Sequence, residues 1–250
     1  EAGWPSAAFE LGEAIEKGAL PAGGLEPFLL FQQAAAAGHG PAALRLGQLY
    51  LGGGPLPRDE ARAAMWLALA AEARQTEASL TLGRLYYDKN PAAAAKWLEQ
   101  ARNQEAGYLL GELYLKEKRF IEAVAAFTFA ADQGSPEASL ALGLLNLDNE
   151  FGRRPNPREA LRRFKIAAQA GLPNGAYHLA HMYIAGQATP KDSLTGAFWL
   201  HRAADRGHEE ARAEYDKLTL NFTPGQKKRL ERMIEDGFAP AAGTPADQRP

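Results

Sequence analysis

Histidine is the residue type in this sequence best spaced to do chemistry. His178 and His181 stand at i and i+3 of one predicted helix and His201 falls in the next, so three imidazoles could in principle meet at a metal ion. The spacing is unspecific: no His-Glu-x-x-His run accompanies it, and His178 and His181 differ in orientation relative to an apolar core. Ordinary scattered histidines are therefore the better reading. Acidic clusters such as Glu209-Glu210 and Asp148-Asn149-Glu150 look like solvated surface. No Gly-x-Ser-x-Gly elbow, phosphate loop or dinucleotide fingerprint occurs, and Gly52-Gly53-Gly54 is not followed by the Lys-Ser or Lys-Thr that a phosphate loop needs. The chain contains no cysteine, which removes thiol nucleophiles, disulfides and cysteine-based zinc sites. A catalytic reading needs a nucleophile, a base and a pocket. The expectation is a protein that is not an enzyme and carries neither cofactor nor metal.

What positions these residues is a repeat. Leu46-Gly47-Gln48-Leu49-Tyr50 returns as Leu82-Gly83-Arg84-Leu85-Tyr86, Leu110-Gly111-Glu112-Leu113-Tyr114 and Leu142-Gly143-Leu144-Leu145-Asn146. Leu179-Ala180-His181-Met182-Tyr183 is a further copy, and Leu11-Gly12-Glu13-Ala14-Ile15 a degenerate first one. The motif spacings of 28 to 37 residues are those of stacked helix pairs, and their elasticity places insertions in the loops. Each unit reads as two helices, A and B, with the Leu-Gly motif in A. In the copy from Pro41, helix A gives way at Gly52-Gly53-Gly54-Pro55, and helix B follows from about Arg58 with Ala61, Ala64, Met65, Trp66, Leu69 and Ala70 at helical spacing. The B helices repeat an aromatic followed by a small residue: Phe31, Trp66, Trp97, Phe127, Phe164 and Trp199. The bulk is expected to fill a gap and the small residue to admit the next helix. Thr223-Pro224-Gly225-Gln226 opens one last helix, expected to cap the array, and residues 237–250, rich in Ala, Pro and Gly, read as a flexible tail.

Charge and hydropathy narrow the class. No apolar run approaches the roughly 18 residues of a membrane span, so no transmembrane segment is expected. The net charge is -2 but uneven: residues 1–40 hold five Asp or Glu against one Lys, whereas residues 151–232 hold 15 Lys or Arg against 8 Asp or Glu. Arg153 and Arg154 sit in the longest A-to-B loop and form a secondary basic site able to steer an acidic partner or an anionic group. Nucleic acid is not expected, because these cations are not interleaved with aromatics.

The combination of Leu-Gly-x-Leu-Tyr, a Gly-rich loop, an aromatic in helix B and then Ala-Ala-x-x-Gly-His resembles the Sel1-like repeat family; Ala34 to His39 and Ala203 to His208 carry the signature best. The resemblance covers about residues 5–218. The unit from Glu105 to Ser135, with its short loop and Phe120 to Ala123, looks more like a tetratricopeptide repeat. The fold this implies is all-α, a right-handed α-α superhelix (solenoid) of about six helix pairs over residues 1–220, with a capping helix over residues 221–236. In such superhelices the A helices line the concave side. Counting the motif Gly as zero, positions -1, 0, +2 and +3 belong to the core, whereas -3, +1 and +4 lie on another face and vary between copies. Those columns nominate Phe9, Glu13, Gln48, Leu51, Arg84, Tyr87, Tyr108, Glu112, Leu144, Tyr177 and His181 as the partner-binding face.

The function implied by the resemblance is a non-enzymatic protein-interaction module of the bacterial cell envelope. A narrower alternative is a periplasmic immunity protein that neutralises a toxic secreted (type VI) effector, such as a phospholipase, by covering its active site. The partner is accordingly expected to be a protein, either an envelope complex component or an effector. The sequence begins at Glu1 without an initiator Met, which leaves room for a signal peptide or lipid anchor upstream. The periplasmic expectation rests on the resemblance alone.

Overall fold

The repeat predicts alternating helices, and the computed structural model, which describes residues 3–53, 55–148 and 154–237, consists of them. The chain divides into two compact units at Ser135 and Pro136. The N-terminal unit holds four antiparallel pairs: α1 (Trp4–Glu16) with α2 (Pro27–Ala36), α3 (Gly40–Gly52) with α4 (Glu60–Glu72), α5 (Thr76–Tyr86) with α6 (Pro91–Ala101), and α7 (Gln104–Lys116) with α8 (Phe120–Asp132). The C-terminal unit holds α9 (Pro136–Leu147) with α10 (Pro157–Gln169) and α11 (Pro173–Ala185) with α12 (Ser193–Ala204). After these come α13 (Glu209–Leu220) and α14 (Pro224–Glu235), both packed on α12. Odd-numbered helices through α13 are the A helices and even-numbered ones through α12 the B helices. No strand occurs among the described residues, and the fold class is the helix-pair solenoid that the repeat demands.

Local chemistry explains where the helices start. Asp59, Asn90, Asn103 and Asn156 each accept a backbone N–H from the first turn of the helix that follows, satisfying a donor that has no intrahelical partner. Asp192 accepts from Leu194 and Thr195 and takes the buried Thr195 hydroxyl at 2.7 Å. Thr223 and Gln226 form the reciprocal box expected of them. The histidines of the Gly-His signature are caps too: the Ala42 N–H donates to His39 Nδ1 and the Ala211 N–H to His208 Nδ1, both at 3.3 Å. An accepting Nδ1 must be unprotonated. Glu210, 3.1 Å from that same nitrogen of His208, is therefore a neighbour and not an ion-pair partner.

Within each pair the motif glycine lets the two helices close. A Cβ at Gly12, Gly111 or Gly143 would stand 2.5–2.6 Å from the ring of Phe31, Phe127 or Phe164, and at Gly47 or Gly83 equally close to Leu67 or Leu98. This corrects the aromatic series. In α4 and α6 the side chain seated over the glycine is Leu67 and Leu98, both 0% exposed, while Trp66 and Trp97 stand one residue away and are half-buried. In α12, Phe198, Trp199 and Leu200 are all buried. Where the A helix carries Ala180 instead of glycine, the close approach moves to the partner helix: Gly196 of α12 lies under Ile184 and the Ala180 carbonyl. Either partner can supply the missing side chain.

Candidate partner-binding surface

On the N-terminal unit the nominated residues separate into those used up in packing and those gathered into a site. Phe9 packs against Phe31 and His39, with ring centroids 5.6 and 5.0 Å away. Leu51 packs against the core and Glu13 pairs with Lys17 at 3.0 Å. The A helices are tied side to side by polar links. Arg45 of α3 reaches Glu16 of α1 at 2.7 Å, Gln48 of α3 donates to Glu77 of α5 at 2.8 Å, and Arg84 of α5 pairs with Glu105 of α7.

The densest grouping lies between α5 and α7. The Tyr108 hydroxyl donates to Glu112 Oε1 at 2.9 Å, and its ring leans on Phe127. The Lys116 ammonium stands 4.3 Å above the Tyr87 ring and 3.4 Å from Asp88. The Tyr87 hydroxyl is buried and lacks a hydrogen-bond partner among the described residues. Burial first, then the negative charges of Glu112 and Asp88, push it up to about 12, so it remains a neutral phenol and a potential donor. Arg84, Tyr87, Tyr108 and Glu112, which sequence position places on one face, thus join Lys116 and Glu105. These last two were not nominated. Lys116 lies one turn beyond the +1 position, and Glu105 is legible only as the oppositely charged end of a link between repeats.

On the C-terminal unit Leu144 of α9 is 43% exposed. Tyr177 stacks on His208 at 4.2 Å, meets His181 edge-on at 4.5 Å, and donates its hydroxyl to Glu214 at 2.9 Å. His181 Nε2 lies 3.0 Å from the other Glu214 oxygen without a hydrogen bond between them. Beside it His181, Ile184, Leu200, Glu214, Lys217, Leu218 and Asn221 enclose a pocket of about 370 Å³ between α11, α12 and α13. The three histidines with metal-like spacing part ways. His178 stacks on Phe164 at 5.1 Å, His181 faces Glu214, and His201 lies 3.1 Å from Asp205, the residue that caps the end of its own helix. Among the described residues no three metal-ligating side chains converge. Burial, then the neighbouring His181 and His208, lower the His178 pKa.

A second cavity, about 200 Å³, opens between α6, α7 and α8 over Leu98, Gly107, Leu110 and Phe129, with Glu99 and Arg102 at its edge. Sequence reasoning had no signal for it beyond the extra glycine, Gly107. Arg154 is exposed just ahead of α10, whereas Arg153 lies outside the described residues, as do residues 238–250 of the expected tail.

The Sel1 repeat family matches residues 5–39, 40–74, 81–105, 136–172 and 173–208. Among solved structures the chain is similar to c5321, a protective antigen present in uropathogenic Escherichia coli strains displaying an SLR fold: 22% identity, TM-score 0.76, covering 94% of this chain and 54% of that one. The chain thus spans about half the length of that antigen. It is similar also to a Sel1 repeat protein from Oxalobacter formigenes, at 24% identity and TM-score 0.66, over 81% of this chain and 90% of the other. Both likenesses speak to fold.

Proposed function

Because the chain belongs to the Sel1 repeat family, whose repeats are protein-interaction modules, we propose that it is a non-enzymatic adaptor holding a partner protein against its A-helix face. The observation that carries this reading is the α5–α7 grouping. Two tyrosines stand within one cluster of charges, and one of them, Tyr87, has a buried hydroxyl with no acceptor in the described chain. Half-buried aromatics supply most of the energy of such interfaces, and the charges of Arg84, Glu105, Glu112 and Lys116 would set register. The setting we propose is the bacterial periplasm. The narrower form of the reading is an immunity protein that covers the active site of a toxic secreted effector. The carboxylates beside the tyrosines, Glu112 by Tyr108 and Glu214 by Tyr177, favour it, since they suit a basic catalytic cleft.

The test is capture from the envelope fraction of the native cell with the intact protein and with Tyr87→Ala, Tyr108→Ala. Loss of one abundant partner is expected, each truncation costing about 2 kcal/mol of binding. The identity of that partner separates a scaffold from an immunity protein. Circular dichroism verifies that the double variant is folded, and Arg84→Glu, at an exposed position, tests the same face without removing a ring. Should both variants keep the wild-type partner list, the A-helix face is not the interface.

A further inference from the structure

Neighbouring A helices of the N-terminal unit are tied by polar groups that satisfy one another: Arg45 with Glu16, Gln48 with Glu77 and Arg84 with Glu105. Between α11 and α13 one such link forms, and there the pairing stops. The Tyr177 hydroxyl donates to Glu214 Oε1 at 2.9 Å. Hydrogen bonding to that carboxylate, then burial, raises the Tyr177 pKa, so the phenol stays neutral and keeps donating. Glu214 Oε2 receives no hydrogen bond among the described residues, although His181 Nε2 stands 3.0 Å from it. Lys217, three residues further along α13, and the side chain of Asn221, at the C-cap, also have no partner among the described residues.

These groups converge on the pocket of about 370 Å³, a volume within the roughly 300–1,000 Å³ of small-molecule sites. Its wall is aliphatic. Leu200 of α12 is 0% exposed, and Ile184 of α11 and Leu218 of α13 are half-buried. A carboxylate and an ammonium thus stand beside one apolar wall, and they do not pair with each other. At a spacing of three residues their Cβ atoms share a helix face, about 5–6 Å apart. A purely cationic ligand would suit Glu214 and be opposed by Lys217; a purely anionic one would meet the reverse. A ligand carrying both signs on neighbouring atoms satisfies both.

We propose that this pocket binds a small zwitterion, an apolar α-amino acid. The ligand's ammonium donates to Glu214 Oε2, its carboxylate accepts from Lys217 and the Asn221 amide, and its side chain lies on Ile184, Leu200 and Leu218. Hydrogen bonds between ionised groups are the strong ones, and both ends of the ligand make them. An α-amino acid carries its two charges on a single carbon, and the flexible four-carbon stem of Lys217 closes the remaining distance. A diamine or a fatty acid leaves one of the two charged side chains opposed or unpaired, and so binds less well. The branched aliphatic wall makes leucine the natural probe. The site lies within the C-terminal unit and uses neither Tyr87 nor Tyr108.

The test is a ligand-observed NMR titration of the full chain with L-leucine, which should bind with a Kd below about 1 mM. Glu214→Gln keeps an acceptor for the Tyr177 hydroxyl, and Lys217→Gln changes an exposed side chain without an internal partner. Each should weaken leucine at least about tenfold and leave the circular dichroism unchanged. Two analogues assign the ends. Leucinamide, which lacks the carboxylate, and 4-methylpentanoate, which lacks the ammonium, should bind the wild-type chain at least about tenfold more weakly than leucine. In Lys217→Gln leucine should lose its advantage over leucinamide, and in Glu214→Gln its advantage over 4-methylpentanoate. Absence of binding at about 10 mM leucine would overturn the assignment. So would leucine affinity unmoved by either variant, or putrescine or 4-methylpentanoate binding as tightly as leucine, which would reduce the pocket to a site for one sign of charge. None of these variants alters Tyr87, Tyr108 or Arg84, so leucine binding and partner capture stand or fall separately.

Discussion

Phe164→Ala should be the most damaging single truncation in the C-terminal unit, costing about 3–5 kcal/mol in denaturant unfolding. The ring is 0% exposed, seated over Gly143 and stacked on His178, so its removal opens a cavity where two helices meet at their closest. Leucine occupies the corresponding seat in α4 and α6, and Phe164→Leu should accordingly cost only about 1 kcal/mol. The truncation has a second readout. His178 titrates below its ordinary value chiefly because it is buried, and loss of the ring that covers it should return its pKa upward, visible as a later His178 shift in a proton NMR titration. Between the ordinary imidazole value and the lowered one, the unfolded chain binds a proton that the folded chain refuses. His178 therefore withdraws stability as the pH falls through that window, and the variant should lose part of this dependence. A cost below about 1 kcal/mol for Phe164→Ala, or an unmoved His178, would show that the seat over the glycine is not the joint of the pair.

Gly111→Leu is expected to cost about 3 kcal/mol, although leucine is the better helix former, because even its first carbon would stand 2.5 Å from two atoms of the Phe127 ring. Phe127 is 1% exposed and packed against Tyr108, so it has nowhere to go. Phe127→Ala alone should cost about as much as Phe164→Ala. Combined, the two changes should cost less than their sum by about 1–3 kcal/mol, since the new leucine refills the space the ring leaves. Thermal melts of the four proteins close the cycle. Strict additivity would mean that the two positions are not in contact in solution.

The glycines and their periods made the fold readable before any coordinates, because a residue without a side chain inside a helix marks where another helix must touch. The position of that touch on the B helix was less readable. Trp66-Leu67, Trp97-Leu98 and Phe198-Trp199-Leu200 each offer adjacent bulky candidates, and bulk alone does not say which one faces the glycine; the 100° between neighbours on a helix does. The pair α7 and α8 lies largely outside the family match, yet it carries the same contact, Gly111 on Phe127, across a loop reduced to Glu117–Arg119. The gathering of Tyr87 and Tyr108 was only half visible. Both sit in columns of one face, but their shared surroundings of Lys116 and Glu112 depend on the lateral offset between α5 and α7, which no single helix encodes. For the same reason the spacing of His178, His181 and His201 did not show that each faces a different partner: the first two are neighbours, but His178 lies on Phe164, His181 faces Glu214 and His201 faces Asp205.

The uneven pairing of cations means that ionic strength reaches the two units with opposite sign. In the N-terminal unit the links from Arg45 to Glu16, Arg84 to Glu105 and Lys116 to Asp88 are attractions at the surface, each worth up to about 1 kcal/mol, and dissolved ions weaken them. In the C-terminal unit Arg158 and Lys165 of α10, and Lys227, Lys228, Arg229 and Arg232 of α14, have no ion-pair partner among the described residues. Like charges within each helix repel, and the same ions relieve that repulsion. A dilute buffer therefore favours the first unit and a concentrated one the second, within a single polypeptide.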